Sequence, residues 1–369
     1  MATSISDLYA LFRRHPHVST DTRRIEPGSI FFALRGATFD GNRFVNEALA
    51  KGAAWAVADD PAAAGTDARV LVVDDTLRTL QELARTHRRT LGIPILAVAG
   101  SNGKTTTKEL TSRVLGSRFV LHATRGNLNN HIGVPLTLLA MTPDTEFGIV
   151  EMGASACGEI AGLVSIAEPD YGILTNIGRA HLEGFGGPEG VRRGKGELFD
   201  YLAAHGGLAF VPEEDAILVA MAAERPSLCV ERYSRTLADN IPSHLEGEYN
   251  RYNIAAAAAI GRHFGISDAD IRRAVAGYIP DNNRSQRTET RRNTLIVDCY
   301  NANPSSMRAS VANFLNEGLG CRTRRLLILG DMLELGEWSC GEHAAIIRQA
   351  TQDPKAEVWL VGSEFERAW

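Results

Sequence analysis

The run Gly100-Ser101-Asn102-Gly103-Lys104-Thr105-Thr106-Thr107-Lys108-Glu109 constrains this chain more than any other stretch. An apolar segment, Ile93 to Val98, precedes it and reads as a buried strand, and Leu110 to Leu115 follows with helical spacing. A strand, a glycine turn and a helix in this order aim backbone N–H groups and the positive helix end at one point, which suits the phosphates of a nucleoside triphosphate. Gly100, Ser101, Asn102, Gly103 and Thr106 would line such a cradle. Lys104 would reach the β/γ oxygens, and Thr105 would offer its hydroxyl to a magnesium ion. The common form of the motif has glycine where this chain has Val98, so the loop is a variant. The plainer reading is a tight turn that happens to carry a lysine, and it leaves the agreement of strand, loop and helix unexplained.

Length and composition bound the rest. At 369 residues the chain exceeds one ordinary core, and two or three domains of roughly 100–200 residues are expected. Apolar residues make up 44% and charged residues 22%, an ordinary globular balance. A net charge of −5 argues against a protein that binds nucleic acid by neutralising phosphates. Arg13-Arg14, Arg88-Arg89 and the stretch from Arg322 to Arg325 are short basic clusters that read as solvated faces or helix ends. No apolar run reaches 18 residues, and Met1 to Arg13 lacks a signal-peptide core, so no stable membrane insertion is expected. The five cysteines form no C-x-x-C pair, which points to reduced thiols and a cytoplasmic protein.

The patterning divides the chain into three α/β parts. Residues 1–83 carry strand candidates at Ser29–Leu34, Ala54–Ala58 and Arg69–Val73 and a helix at Phe44–Lys51 ending on Gly52. A helix over Thr76–Leu91 leads into the next part. Residues 84–281 alternate strands and helices as a mainly parallel sheet does, with strands at Phe147–Glu151, Tyr171–Asn176 and Gly207–Val211 and a helix at Asn250–Phe264. Pro280 to Asn283 breaks the pattern as a linker. Residues 282–369 restart it: strand Thr294–Cys299, helix Pro304–Leu315, strand Arg325–Leu329, helix Glu342–Thr351, strand Val358–Val361. This last domain reads as incomplete.

Several groups fall where open parallel sheets place their ligands, at the carboxyl ends of strands. Glu151 ends an expected strand and is a natural magnesium ligand, or else an exposed loop carboxylate. His181 follows a strand and the Gly178 turn; imidazole suits manganese or a second, looser metal position better than tightly held magnesium. Lys195 sits between Gly194 and Gly196, and its spacing alone favours a surface lysine near a helix start. Asn127, Asn129, Asn130, Asn250, Asn253, Asn301 and Asn303 could recognise amide, ribose or adenine groups, although each alone is most simply a turn or cap residue. Arg284 lies at the junction of the last two domains, where a cation could meet a γ-phosphate.

Read together, these pieces resemble the Mur ligase family. The resemblance rests on Gly100–Glu109, Asn127–Thr137, Glu151–Ala154, Thr175–Gly178 with His181, Lys195–Glu197, and Tyr249-Asn250 with Asn253. It continues through Asn283–Gln286, Asp298–Pro304 and Leu329–Gly336, and the Ser19–Arg23, Pro27-Gly28 and Asp40-Gly41 signals resemble a UDP-sugar domain. It implies a small N-terminal UDP-muramoyl-binding domain, a central ATP-binding domain and a Rossmann-like C-terminal domain. The implied activity is ATP-dependent addition of D-alanyl-D-alanine to UDP-N-acetylmuramoyl-tripeptide by a monomer. By the resemblance Lys104 and Thr105 hold ATP and magnesium, Glu151 and His181 hold a second metal position, and Lys195 is a carbamylated lysine. Asn250, Asp298 and Tyr300 surround adenine and ribose, and Arg284 approaches the phosphates. Thr20, Asp21, Arg23, Asn129, Asn130, Thr137 and Asn303 face the substrates. The stretch from Cys229 to Gly247 is shorter than the family pattern. The alternatives are another amino-acid ligase of the superfamily, such as a third-residue-adding or folylpolyglutamate type, or a P-loop NTPase without ligase activity.

Overall fold

A computed structural model describes residues 4–280, 283–316 and 324–369. The 281–282 portion of the expected linker, Cys321 and the first residues of the 322–325 basic cluster lie outside them. The chain divides into two compact units, Met1–Leu96 with Val120–Met152 and Gly162–Pro169, and Ala97–Phe119 with Gly153–Ala161 and Asp170–Trp369.

In the first unit, Val18–Ser19, Ile30–Phe32, Trp55–Ala58 and Val70–Val72 form a four-stranded parallel sheet, with Ile30 opposite Trp55 and Ala56 opposite Val70. Its core gathers Phe31, Ala33, Val45, Ala48, Leu49 and Ala58. Burying each large apolar side chain of this kind contributes about 1.5–3 kcal/mol. The helix Thr76–Leu91 has the bounds its sequence pattern predicts, for a local reason. The Asp75 carboxylate accepts from Arg78 N, Gly92 closes the far end in the left-handed region, and Leu80, Leu83 and Ala84 are buried along one face. Leu121–Ala123 pairs in parallel with Phe147–Glu151.

In the second unit, Tyr171–Leu174, Leu208–Pro212 and Cys229–Tyr233 run parallel, with Leu208 opposite both Tyr171 and Cys229. The sequence gives no apolar signal for Cys229–Tyr233, because only Tyr233 of that strand is buried. The helix after the glycine loop begins at Lys104 and not at Leu110. Its first turns bury Thr105, Thr106 and Thr107, polar residues that carry no hydrophobic period. Helices Pro188–His205 and Glu248–His263 complete this part. Farther along, Gln286–Glu289 and Thr294–Val297 form an antiparallel hairpin. Arg325–Gly330 pairs in parallel with Ala356–Val361, and Val311, Leu327 and Ala350 make a small core with helices Pro304–Asn316 and Ser339–Ala350. No described helix is long and apolar enough to cross a membrane. Cys157, Cys229, Cys299 and Cys340 are free thiols.

Candidate nucleotide and metal site

The strand Ile95–Ala99 is buried throughout and delivers the chain to Gly100, whose φ of 128° belongs to glycine. A Cβ there would stand 2.1 Å from Thr175 Oγ1. The close approach has a purpose: Thr175 Oγ1 donates to Asn102 O at 2.5 Å, and Thr175 N donates to Ala99 O at 2.9 Å. Asn176 brackets Asn102, accepting from its N–H and donating to its carbonyl. Ser101 Oγ accepts from Gly178 N at 2.9 Å. The loop is thus fastened, residue by residue, to the end of the neighbouring strand. Gly103, with φ 79°, precedes the helix, and Lys104 Nζ donates to the loop carbonyls of Gly100 and Ser101 at 2.9 and 3.1 Å.

Beneath the loop, Thr107 Oγ1 donates to Asn253 Oδ1, Asn253 donates to Asn250 Oδ1, and Asn250 donates to Glu246 O. Asn250, which the family pattern sets near adenine and ribose, is 2% exposed and its amide is engaged in this brace.

Lys195 is not a surface residue. It projects from helix Pro188–His205, is 1% exposed, donates to Ala154 O at 2.8 Å and lies 5.1 Å over the Phe185 ring. A Cβ at Gly194 would meet that ring at 2.5 Å, so the glycine lets the lysine's helix approach it. Desolvation first, and the charge of Lys104 second, lower its pKa to about 7. A substantial share is then neutral amine near neutrality, the form that attacks carbon dioxide.

His181 adopts φ 53° and bonds through Nδ1 to Glu334 Oε2. Nearby, the Glu342 carboxylate joins Arg179 Nε at 2.5 Å and Arg308 at 2.6 Å. Asn303 donates to Asn102 Oδ1 at 2.7 Å, and its Oδ1 accepts from Ser306 N at the start of a helix. Arg284 stacks 3.9 Å over the Tyr300 ring, which is half exposed. Asp298 accepts weakly from Ser285 N, and burial raises its carboxyl above the usual range. Tyr249 meets Ser285 Oγ at 2.5 Å.

The first unit holds the remaining candidates. Glu151 is buried, not an exposed loop carboxylate; it accepts from Asn129 Nδ2 at 2.9 Å, and its N–H donates to Thr124 Oγ1. Asn130 Oδ1 accepts from Ile132 N and Gly133 N, a turn role, and the buried Thr137 hydroxyl donates to Gly133 O within its own helix. Asp21 caps a short 3-10 turn and is held at a pKa of about 2 by Arg23, whose guanidinium it pairs. Thr20, beside it, is half-buried.

Residues 16–88 match the Mur ligase family catalytic domain, residues 98–241 the Mur ligase middle domain, and residues 283–369 the Mur ligase glutamate ligase domain. A UDP-N-acetylmuramoyl-tripeptide--D-alanyl-D-alanine ligase of Bacillus subtilis (strain 168) is 36% identical over 340 residues, covering 87% of this chain and 74% of that protein. The chain belongs to the Mur ligase family. Among solved Mur ligases, a crystal structure of MurF from Acinetobacter baumannii aligns with a TM-score of 0.85 at 31% identity, covering 95% of this chain and 82% of that one. MurF from Thermotoga maritima, in complex with ADP, aligns with a TM-score of 0.84 at 26% identity, covering 97% and 87%.

The donor chemistry of this Mur ligase fits a magnesium ion that travels with a nucleotide. Among the described residues no three His, Cys, Asp or Glu side chains gather into a metal-holding group. Magnesium usually keeps several waters and takes one or two protein ligands plus substrate phosphates, so a hydroxyl such as Thr105 at the loop suffices on the protein side. Of the residues that matter here, sequence reading passed over Thr175, Ser305 and Glu334 as acting groups. The first two reveal themselves only as partners of Asn102 and Arg179.

Proposed function

We infer that this chain joins D-alanyl-D-alanine to UDP-N-acetylmuramoyl-tripeptide at the expense of ATP, in peptidoglycan precursor synthesis. The observation that carries the reading is the likeness to ligases of that name along most of the chain, with the phosphate loop intact within it. Residues 1–83 bind the UDP-muramoyl substrate, residues 84–281 hold ATP, and residues 282–369 close over the nucleotide. The reaction runs in the cytoplasm, where ATP is available, and a monomer suffices.

A carboxylate is a poor electrophile. Its terminal oxygen on the tripeptide attacks the γ-phosphorus of ATP, the bond to the β-phosphate oxygen breaks, and ADP and an acyl phosphate result. The unprotonated amine of D-alanyl-D-alanine then attacks the acyl carbon, phosphate departs, and the amine's surplus proton goes to solvent. Lys104 offsets charge on the transferring group, and the N–H groups of Gly100–Lys104 cradle the phosphates. Each such preorganised group is worth about 3 kcal/mol. Thr105 would hold magnesium, and Glu151 and His181 are the residues that the family pattern implies for a second metal position; the ion would supply Lewis-acid charge neutralisation. Lys195 adds its neutral amine to carbon dioxide and loses a proton to solvent, becoming an anionic carbamate; its burial and lowered pKa support the assignment. Arg284 and Tyr300 meet the nucleotide beside Asp298, and Asn250 acts through the loop it braces. Thr20, Asp21, Arg23, Asn129, Asn130, Thr137 and Asn303 shape the substrate side. Exclusion of water protects the acyl phosphate from hydrolysis.

The test is phosphate release from ATP with UDP-N-acetylmuramoyl-tripeptide and D-alanyl-D-alanine, omitting each in turn. Release that requires both, with UDP-muramoyl-pentapeptide detected by mass, is expected. Release indifferent to both overturns the reading in favour of a plain NTPase.

A further inference from the structure

The segment Asp331–Gly336 presses against the turn that carries His181. Its root is fixed: the Asp331 carboxylate accepts from Glu364 N and Phe365 N at 3.0 Å, and Met332 N donates to Nε2 of the fully buried His343 at 3.0 Å. Its tip is fixed on the turn itself. Glu334 O accepts from Glu183 N at 3.2 Å while the Glu334 carboxylate bonds His181 Nδ1. Gly336 stands over Glu183, where an added Cβ would lie 3.3 Å from Glu183 Cβ. Both His181 and Glu334 take positive φ, 53° and 59°, a conformation that non-glycine residues keep only where the surroundings impose it. Two residues 153 positions apart are each held in an uncommon backbone state, and the result is that their side chains meet.

We propose that Glu334 is a positioning residue that fixes the tautomer and the ring orientation of His181. An ionised carboxylate only accepts, so the nitrogen facing it carries the hydrogen. In the neutral imidazole that nitrogen is Nδ1, and the lone pair is left on Nε2, directed away from Glu334. A carboxylate behind a histidine in this way raises its basicity as a metal ligand and removes the ring's freedom to turn. The inference rests on the reading of His181 as a metal-position ligand, and adds the residue that makes Nε2 its ligating atom.

The test uses the full chain labelled with 15N-histidine, with the His181 signals assigned by their loss in His181→Ala. Long-range 1H–15N correlation in the wild type is expected to show Nδ1 protonated and Nε2 bare. Glu334→Ala should shift His181 toward the Nε2–H tautomer that free imidazole prefers. Glu334→Gln, whose amide oxygen still accepts, should keep the wild-type pattern. Mn2+ affinity in the presence of ADP, followed by electron paramagnetic resonance, should fall about 10- to 100-fold in Glu334→Ala and far less in Glu334→Gln. An unchanged tautomer in Glu334→Ala overturns the positioning role. An unchanged Mn2+ affinity in His181→Ala overturns the metal reading on which it rests, whatever the tautomer. The glutamate is more than half exposed at its side chain, and retained ADP binding confirms that each variant is folded.

Discussion

Leu208–Pro212 and Arg325–Gly330 are both parallel strands of one compact unit, and they differ in how they are covered. From Ala209 to Pro212 the first is buried on both faces, as parallel sheets usually are. The second buries Leu327 but turns Leu326 and Ile328 outward at 41% and 60% exposure, beside Trp359 and Val361 at 53% and 55% on its partner strand. The phosphate loop is anchored to the first kind of sheet, so its geometry is fixed by packing. Glu334 and Glu342 lie beyond the second kind, and reach the loop region through polar bonds: Asn303 to Asn102, Glu342 to Arg179, Glu334 to His181. Of these only the Glu334–His181 bond has a largely exposed partner, and a contact of that kind is typically worth under about 1 kcal/mol, whereas Asn303 and Glu342 are buried. A cradle set by apolar packing and a cover held by a few polar bonds are what a ligase needs if it must admit two substrates and then exclude water.

The comparison can be broken at the cradle with the largest effect. Lys104→Ala should cut ATP-dependent turnover more than about a hundredfold while leaving the thermal midpoint nearly unchanged. Turnover assays beside calorimetry check this, and a retained tenth of the rate would remove Lys104 from its assigned place. Gly100→Ala forces a methyl group onto Thr175 Oγ1 at a φ of 128° and should destabilise by about 3 kcal/mol, with ADP binding lost in parallel. Urea titration with and without ADP separates the two effects.

Lys195 gives a smaller and pH-dependent effect. Its pKa is about 7 in the folded chain, against 10.5 for the ordinary side chain. Between those values the unfolded state holds the extra proton, so folding becomes more favourable as pH rises through this window and the contribution is lost as pH falls toward 7. Lys195→Met should flatten that rise. Denaturation midpoints of both proteins from pH 7 to 10 test it, and equal slopes would falsify the burial argument. Smallest of all, Ile328→Thr on the bare face should change stability by less than about 0.5 kcal/mol and ADP affinity not at all, while reducing binding of a hydrophobic dye. A large loss of stability would mean that this face is packed after all.

Much of this arrangement is legible in the residues themselves. Phe147–Glu151 and Thr76–Leu91 announce their bounds because strand burial and helix caps leave local traces. The loop was readable because glycine, lysine and threonine at fixed spacing have few other uses. The contents of the site were less so. Lys195 reads as a surface residue from its flanking glycines, and only the fold reveals that those glycines admit Phe185 and Arg225 close to its helix. Asn250 and Thr137 carry recognition-type side chains that the fold spends on internal bonds. Glu334 and His181 share no local pattern at all, since their meeting depends on two distant turns.

The alanine run Ala255–Ala259, buried in helix Glu248–His263, carries a last consequence. That helix bears Asn253 under the loop, and its Gly261 comes so near Val114 of the loop's own helix that a Cβ would sit 2.5 Å from it. Small side chains there act as a shim of fixed thickness. They set the height at which Gly103 and Lys104 stand, so this ligase's grip on a nucleotide is tuned by methyl groups that never touch one.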